Sequence, residues 1–311
     1  MKHKFFNASL IGVLCFLILN GCRPAANNSS TNSGASVTDA EGKTSKIADS
    51  SRIVSVGTAT TETIYALGAG ERLVGVDNSS REYFPESKNI PTVGARTVLN
   101  AEGILSLKPT LLIMNADSGP PQVAEQLKNA GIGVLTLTPD YTIDAIKSKI
   151  LMIAKALGLE AKGVEVRRSI DGEMSEVAEL LEKKRTTPKV LFVGRGPNMP
   201  NATMSGAGTT IDEMIKLADG ANTMNDFTGF REMTDEAVGA AQPDIILMTE
   251  KSFERSGGTD GVLKFPGVVL TPAGENRRVV TVSDVYFQGF GPGVGKAVRE
   301  LAVKFHPELA P

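Results

Sequence analysis

The chain has 311 residues, of which 41% are hydrophobic and 22% charged, with a formal net charge of −2. That composition describes an ordinary globular protein of one large domain or two of usual size. So small a charge leaves no basic face for nucleic acid, and beyond residue 21 no apolar run is long enough to span a bilayer.

At the start of the chain, Lys2, His3 and Lys4 precede the apolar stretch Leu10 to Leu19, the pattern of a secretory signal. It ends in Leu19-Asn20-Gly21-Cys22, which resembles the bacterial lipobox. The resemblance implies a signal peptide over residues 1–21, cleavage before Cys22, and a lipid on the Cys22 thiol that anchors the exported protein to a membrane. The expected location is the periplasmic side or the outer face of the cytoplasmic membrane. The other cysteine, Cys15, falls inside the signal, so the mature chain has no disulfide, thiolate metal site or cysteine nucleophile. With only His3 and His306 in the sequence, a zinc site built on histidine is excluded as well. Residues 22–50 are rich in Ser, Asn, Thr, Ala and Gly; they bury too little apolar surface to offset their ordering entropy and read as a flexible tether.

From residue 51 short β-branched runs alternate with helical patterns. Ile53 to Val56 reads as a strand, followed by a helix capped by Thr60-Thr61-Glu62 and stopped at Gly68-Ala69-Gly70. Leu73 to Val76 is a second strand. Ala101 to Leu107 is a short helix before Pro109, Leu111 to Met114 a strand, Gln122 to Ala130 a helix ended by Gly131, and Val134 to Leu137 a strand. A long helical pattern, Ile143 to Lys184, is punctuated once at Leu157-Gly158. The alternation restarts at Val190 to Val193.

The restart repeats the first half. Glu102 stands seven residues before Pro109 and its strand, and Glu236 stands seven before Pro243 and the strand Ile245-Ile246-Leu247. Thr60-Thr61 with Leu67-Gly68-Ala69-Gly70 is echoed by Thr209-Thr210 with Leu217-Ala218-Asp219-Gly220. The predicted fold class is therefore α/β: two Rossmann-like lobes with central parallel sheets, over residues 51–140 and 187–311, joined by a long rigid helical segment over 141–186. Ligands of open α/β sheets sit at the carboxyl ends of the strands, so two facing lobes predict one cleft between them.

The body resembles the helical-backbone solute-binding proteins of bacterial ABC importers for iron–siderophores, vitamin B12 and haem. The residues that carry the likeness are Arg52-Ile53-Val54-Ser55 with Thr61-Glu62, Tyr65 to Gly70, Leu73 to Asp77, and Leu107-Lys108-Pro109. The second half is most similar to the haemin-binding branch, through Gly257 to Leu263, Phe265 to Val268, Leu270 to Gly274, Arg277 to Val280 and Gly289 to Pro292. That resemblance implies haem as the transported ligand, a permease dimer with its ATPase as partner, and a monomeric binding protein. A ferric siderophore or cobalamin is the alternative ligand.

In that branch a tyrosine in the loop after the second strand binds the haem iron, which points to Tyr83; here Phe84 separates it from Pro85. A phenolate is a hard anionic donor suited to ferric iron. Met199, Met204, Met224 and Met233 are available as weaker partners on the opposite side, or water takes that position. Arg81, Arg96, Arg231, Lys251 and Arg255 fall near strand-end loops and are the candidates for pairing with haem carboxylates. Glu102 and Glu236 correspond to the glutamates that dock such proteins onto permease arginines. No enzyme is expected: Gly289 to Lys296 fails the phosphate-loop pattern at Phe290 and Ala297, and no nucleophile–His pair is available.

Overall fold

The computed structural model describes residues 35–38, 42, 44–196, 201–285 and 290–310, so the predicted signal and Cys22 lie outside the described residues. The described chain opens on residues expected in the tether. β1 (Ala35–Thr38) and β2 (Thr44–Ile47) pair antiparallel. Two apolar side chains explain the difference: Val37 and Ile47 are buried in the core of the lobe that follows, which docks a ribbon of otherwise polar composition.

The first lobe runs through β3 (Ile53–Ser55), α1 (Thr58–Ala66), β4 (Leu73–Val76), α2 (Asn78–Tyr83), the short pair β5 (Gly94–Ala95) and β6 (Val98–Leu99), α3 (Ala101–Ser106), β7 (Leu111–Asn115), α4 (Gln122–Asn129) and β8 (Gly133–Leu137). Its main sheet is parallel throughout, in the order β4-β3-β7-β8. Leu111 to Met114 of β7 are all buried, as a central parallel strand covered on both faces requires.

α1 differs from expectation at its start. It begins at Thr58 after Gly57, which adopts φ 107 and provides no side-chain cap. Thr61 is not a cap because its hydroxyl is engaged inside the lobe, with Ser55 Oγ at 2.6 Å and donating to Ser80 Oγ at 2.9 Å.

The second lobe contains β9 (Lys189–Gly194), β10 (Thr203–Ser205), α7 (Thr210–Leu217), β11 (Ala221–Asn222), β12 (Phe230–Glu232), α8 (Asp235–Ala241), β13 (Ile245–Thr249), α9 (Glu250–Arg255), α10 (Gly258–Val262), α11 (Pro272–Glu275), β14 (Val279–Val282) and α12 (Val294–Phe305). β11-β9-β13-β14 are parallel neighbours in that order, which reproduces β4-β3-β7-β8 of the first lobe. The antiparallel strands β10 and β12 extend the sheet beyond β9. The architecture is the predicted α/β pair of lobes with central parallel sheets.

Between the lobes the long helical pattern divides into α5 (Ile143–Leu157) and α6 (Glu160–Leu181), separated at Gly158, whose φ of 70 suits a residue without Cβ. α5 belongs to both cores: Ile146 and Ile150 pack with Val190, Phe192 and Phe290 of the second lobe, while Ile153, Ala154 and Leu157 pack with Ile113 and Leu135 of the first.

The two lobes also meet through Glu62. Its Oε1 accepts a hydrogen bond from the Gly293 amide at 2.7 Å, at the start of α12. Burial drives the Glu62 carboxyl up to about 7; the Gly293 hydrogen bond and Lys296 oppose the rise, and Glu173 of α6 adds to it. A carboxyl raised above its ordinary 4.5 gives the folded state an extra proton, so its ionisation weakens the fold as pH rises from about 4.5 through about 7. Glu62→Gln keeps the acceptor for Gly293 but removes the charge. Its melting temperature is expected to exceed that of the native protein at pH 8, with the two converging at pH 5. Equal shifts at both pH values would contradict the assignment.

Candidate functional site

The carboxyl ends of the four first-lobe strands open on one gap. Gly57 follows β3, Asp77 follows β4, Asn115 ends β7 and Tyr141 lies just beyond β8; all four line a cavity of about 260 Å³. The second lobe closes it with Thr210, Phe230 and Phe290, and Arg96 and Lys149 add positive charge. Phe230 is 56% exposed, an uncovered aromatic ring facing the gap. The inter-lobe cleft predicted from the repeat is therefore present.

A buried polar network sets the position of α2, and with it Tyr83. Asp77 Oδ1 accepts from the Gly57 amide at 3.0 Å and from the Ser80 hydroxyl, and Ser80 in turn accepts from Thr61. Asp77, Ser80, Thr61 and Ser55 are nearly inaccessible to solvent. The network ties the first turns of α1 and α2 to the ends of β3 and β4. Tyr83 is accordingly the last residue of a short helix instead of a loop residue.

The Tyr83 ring faces the other lobe. Lys251 Nζ stands 4.3 Å from its centroid and pairs with Glu82 Oε1 at 2.5 Å, a contact from α9 to α2 across the gap. The Lys251 amide donates to Asp284 Oδ2 at 3.0 Å. Arg255, at the end of α9, adds a positive charge that bears on the phenol. Burial and the negative charges of Glu82 and Asp284 outweigh it, and the Tyr83 phenol is pushed up to about 12. The phenol is therefore protonated near neutral pH.

The other sequence candidates divide. Arg96 lines the cavity and pairs with Asp117 at 2.7 Å. Arg81 is exposed on α2 and makes no ion pair among the described residues. Arg231 lies over the Phe227 ring at 4.3 Å, and strand alternation sends it to the opposite face of β12 from Phe230. It is not brought to the cavity lining. Met204, Met224 and Met233 are not available as partners opposite the phenol, because all three are buried in the second-lobe core with Leu191, Val193 and Ile246. Met199 lies outside the described residues.

Glu102 and Glu236 are exposed second residues of α3 and α8. Asn100 and Thr234 cap these helices. α3 precedes β7 and α8 precedes β13, equivalent strands in the two sheets, so the two carboxylates hold equivalent positions.

Sequence reasoning missed Tyr141, Lys149, Phe230, Phe290 and the Asp77 network. Tyr141 had a signal: it follows Pro139-Asp140 directly after a strand, where a strand-end loop reaches a cleft. Among the described residues no helix is long and apolar enough to cross a membrane. Among them, too, no group of three or more His, Cys, Asp or Glu is placed to hold a metal ion.

Known proteins agree with this geometry. The family described as "Periplasmic binding protein" matches residues 53–286. The chain is 30% identical over 264 residues to an uncharacterized ABC transporter substrate-binding lipoprotein, YvrC, of Bacillus subtilis, covering 83% of this chain and 80% of that one. It is 27% identical over 255 residues to a vitamin B12-binding protein of Pectobacterium atrosepticum, covering 80% and 86%. Among solved structures, the apo form of the periplasmic haem-binding protein RhuT from Roseiflexus sp. RS-1 superposes with a TM-score of 0.78 at 38% identity, over 84% of this chain and 100% of that one. With residues 53–286 matched and both lobes in place, the chain belongs to the periplasmic binding protein family.

Proposed function

We propose that this protein captures haem in its inter-lobe cleft and delivers it to the permease of an ABC importer. The observation that carries the reading is Tyr83: a half-buried phenol with no hydrogen-bond partner among the described residues, faced across the gap by Lys251 and Arg255. Ferric iron is the Lewis acid that such a phenol fits, and the nearby cations suit carboxylate side chains of the ligand. The exposed ring of Phe230, at the cavity lining, offers apolar surface to a flat macrocycle. The haem-binding structural neighbour RhuT supports the same ligand.

Within this reading Tyr83 is the axial iron ligand. Arg96, Lys251 and Arg255 are the cations best placed for the ligand's acidic groups, with Arg81 and Arg231 further out. Haem is cargo and no catalytic step is assigned. The Lys251–Glu82 pair spans the gap and must part to admit a macrocycle. Both partners are partly exposed, so the pair holds the cleft by only about 0–1 kcal/mol. Glu102 and Glu236 dock the two lobes onto the two permease subunits, and the ATPase drives transfer. The protein works as a monomer, exported and held at the membrane by lipid on Cys22.

Haemin titrated into the protein is expected to give a tyrosinate-type ferric absorption spectrum. Tyr83→Ala should weaken binding at least about tenfold, the scale of one lost charge-assisted contact of about 1.4 kcal/mol or more. An unchanged spectrum and affinity in that variant would remove Tyr83 as ligand. Saturable binding of cyanocobalamin instead of haemin would favour the corrinoid function of the Pectobacterium relative.

The docking assignment has its own test. Glu102→Ala combined with Glu236→Ala should leave haemin affinity unchanged and stop uptake by cells that depend on this protein. Normal uptake would defeat it.

A further inference from the structure

Three of the four tyrosines lie among the described residues. Tyr65 has an ordinary structural role, its hydroxyl 3.0 Å from Ser87 Oγ. Tyr83 and Tyr141 differ from it: both are partly buried, and neither phenol oxygen has a hydrogen-bond partner among the described residues. Neither hydroxyl is among the buried side-chain atoms without a partner, so both phenol oxygens are open to solvent and to an incoming ligand.

The surroundings of Tyr141 parallel those of Tyr83. Each ring has a lysine ammonium nearby: Lys251 at 4.3 Å from the Tyr83 centroid and Lys149 at 5.8 Å from that of Tyr141. Lys149 Nζ is held there by the Asp140 carbonyl at 2.6 Å. An arginine bears on each phenol, Arg255 on Tyr83 and Arg96 on Tyr141; at Tyr141 burial and the negative charge of Asp117, the ion-pair partner of Arg96, outweigh it and push the phenol up. Each ring also faces the second lobe. For Tyr141 the opposing group is Phe290, edge to face at 6.3 Å and 86°. Tyr141 lines the cavity directly, together with Arg96, Lys149 and Phe230.

We infer that the Tyr141 hydroxyl oxygen is a second phenolate donor to ferric iron in this cleft, with Lys149 and Arg96 compensating the charge of the phenolate or of carboxylates on the chelate. Coordination replaces the O–H bond by an Fe–O bond and releases the proton to solvent, with no change in iron oxidation state. The inference rests on the haem reading and deepens it: the ligand can be held from either of two phenols, one against α9 and one at the cavity lining.

Ferric haemin bound to the native protein, to Tyr83→Phe, to Tyr141→Phe and to the double variant tests this by resonance Raman. Tyrosinate–iron vibrations are the readout, with circular dichroism to confirm folding. Tyr83→Phe is expected to retain a tyrosinate signature that disappears only when Tyr141→Phe is added. If Tyr83→Phe alone abolishes every tyrosinate band, or the double variant keeps the signature of Tyr83→Phe, Tyr141 is not a donor. Failure of the native protein to bind haemin would instead overturn the haem reading, and this inference with it. Binding by the native protein without any tyrosinate band would overturn both phenol assignments while leaving haem as ligand.

Discussion

One helix fixes the relation between the two halves. α5 contributes Ile146 and Ile150 to the second-lobe core and Ile153, Ala154 and Leu157 to the first. Swinging the lobes apart would pull one of these sets out of its core, at about 1.5–3 kcal/mol for each large aliphatic side chain exposed. α6 braces it, and Gly163 permits the approach: a Cβ at that position would stand 2.5 Å from Ala154 Cβ. At 22 residues α6 is itself about 33 Å long. The gap is therefore set by buried packing, and loops at the strand ends can be placed around it without a hinge to control.

Against that stiff frame the contacts across the mouth are weak. Lys251–Glu82 is a partly exposed pair that solvent screens readily. The buried groups behind Tyr83 act differently. Asp77, Ser80, Thr61 and Ser55 satisfy one another out of water, so removing one strands the others and shifts α2. In the proposed reading, a ligand meets the Tyr83 phenol on a fixed mount under a cover that yields at little cost. The raised carboxyl of Glu62 adds a pH-sensitive contribution at the back of the same junction, where Gly293 leads into α12.

The sheets were legible because parallel strands buried on both faces read as short unbroken apolar runs: Leu73 to Val76 matches β4 residue for residue. Gly158 divided the connector as expected, because the positive φ it adopts is one that few other residues accept. The repeat carried the symmetry, from Glu102 and Glu236 to the equivalent strand orders. What escaped were choices made by tertiary contacts. Thr61 could have capped a helix but is drawn into a network with residues from β3 and α2. Val37 and Ile47 carry a polar ribbon onto a core that local composition does not reveal. The methionines of the second lobe read as donors until Leu191 and Ile246 are seen around them. Tyr141 was passed over because its run, Pro139-Asp140-Tyr141-Thr142, looks like a turn leading into α5.

Shared packing of α5 holds the lobes at one separation, so that a ligand enters a gap already formed. The most direct measurement is the distance between spin labels at Asn129→Cys and Glu275→Cys, exposed sites on the first and second lobes, by pulsed electron resonance with and without haemin. The account predicts one narrow distribution that moves by less than about 2 Å on binding, within the range of preorganised partners. A second, much longer distance population in the ligand-free protein would contradict it.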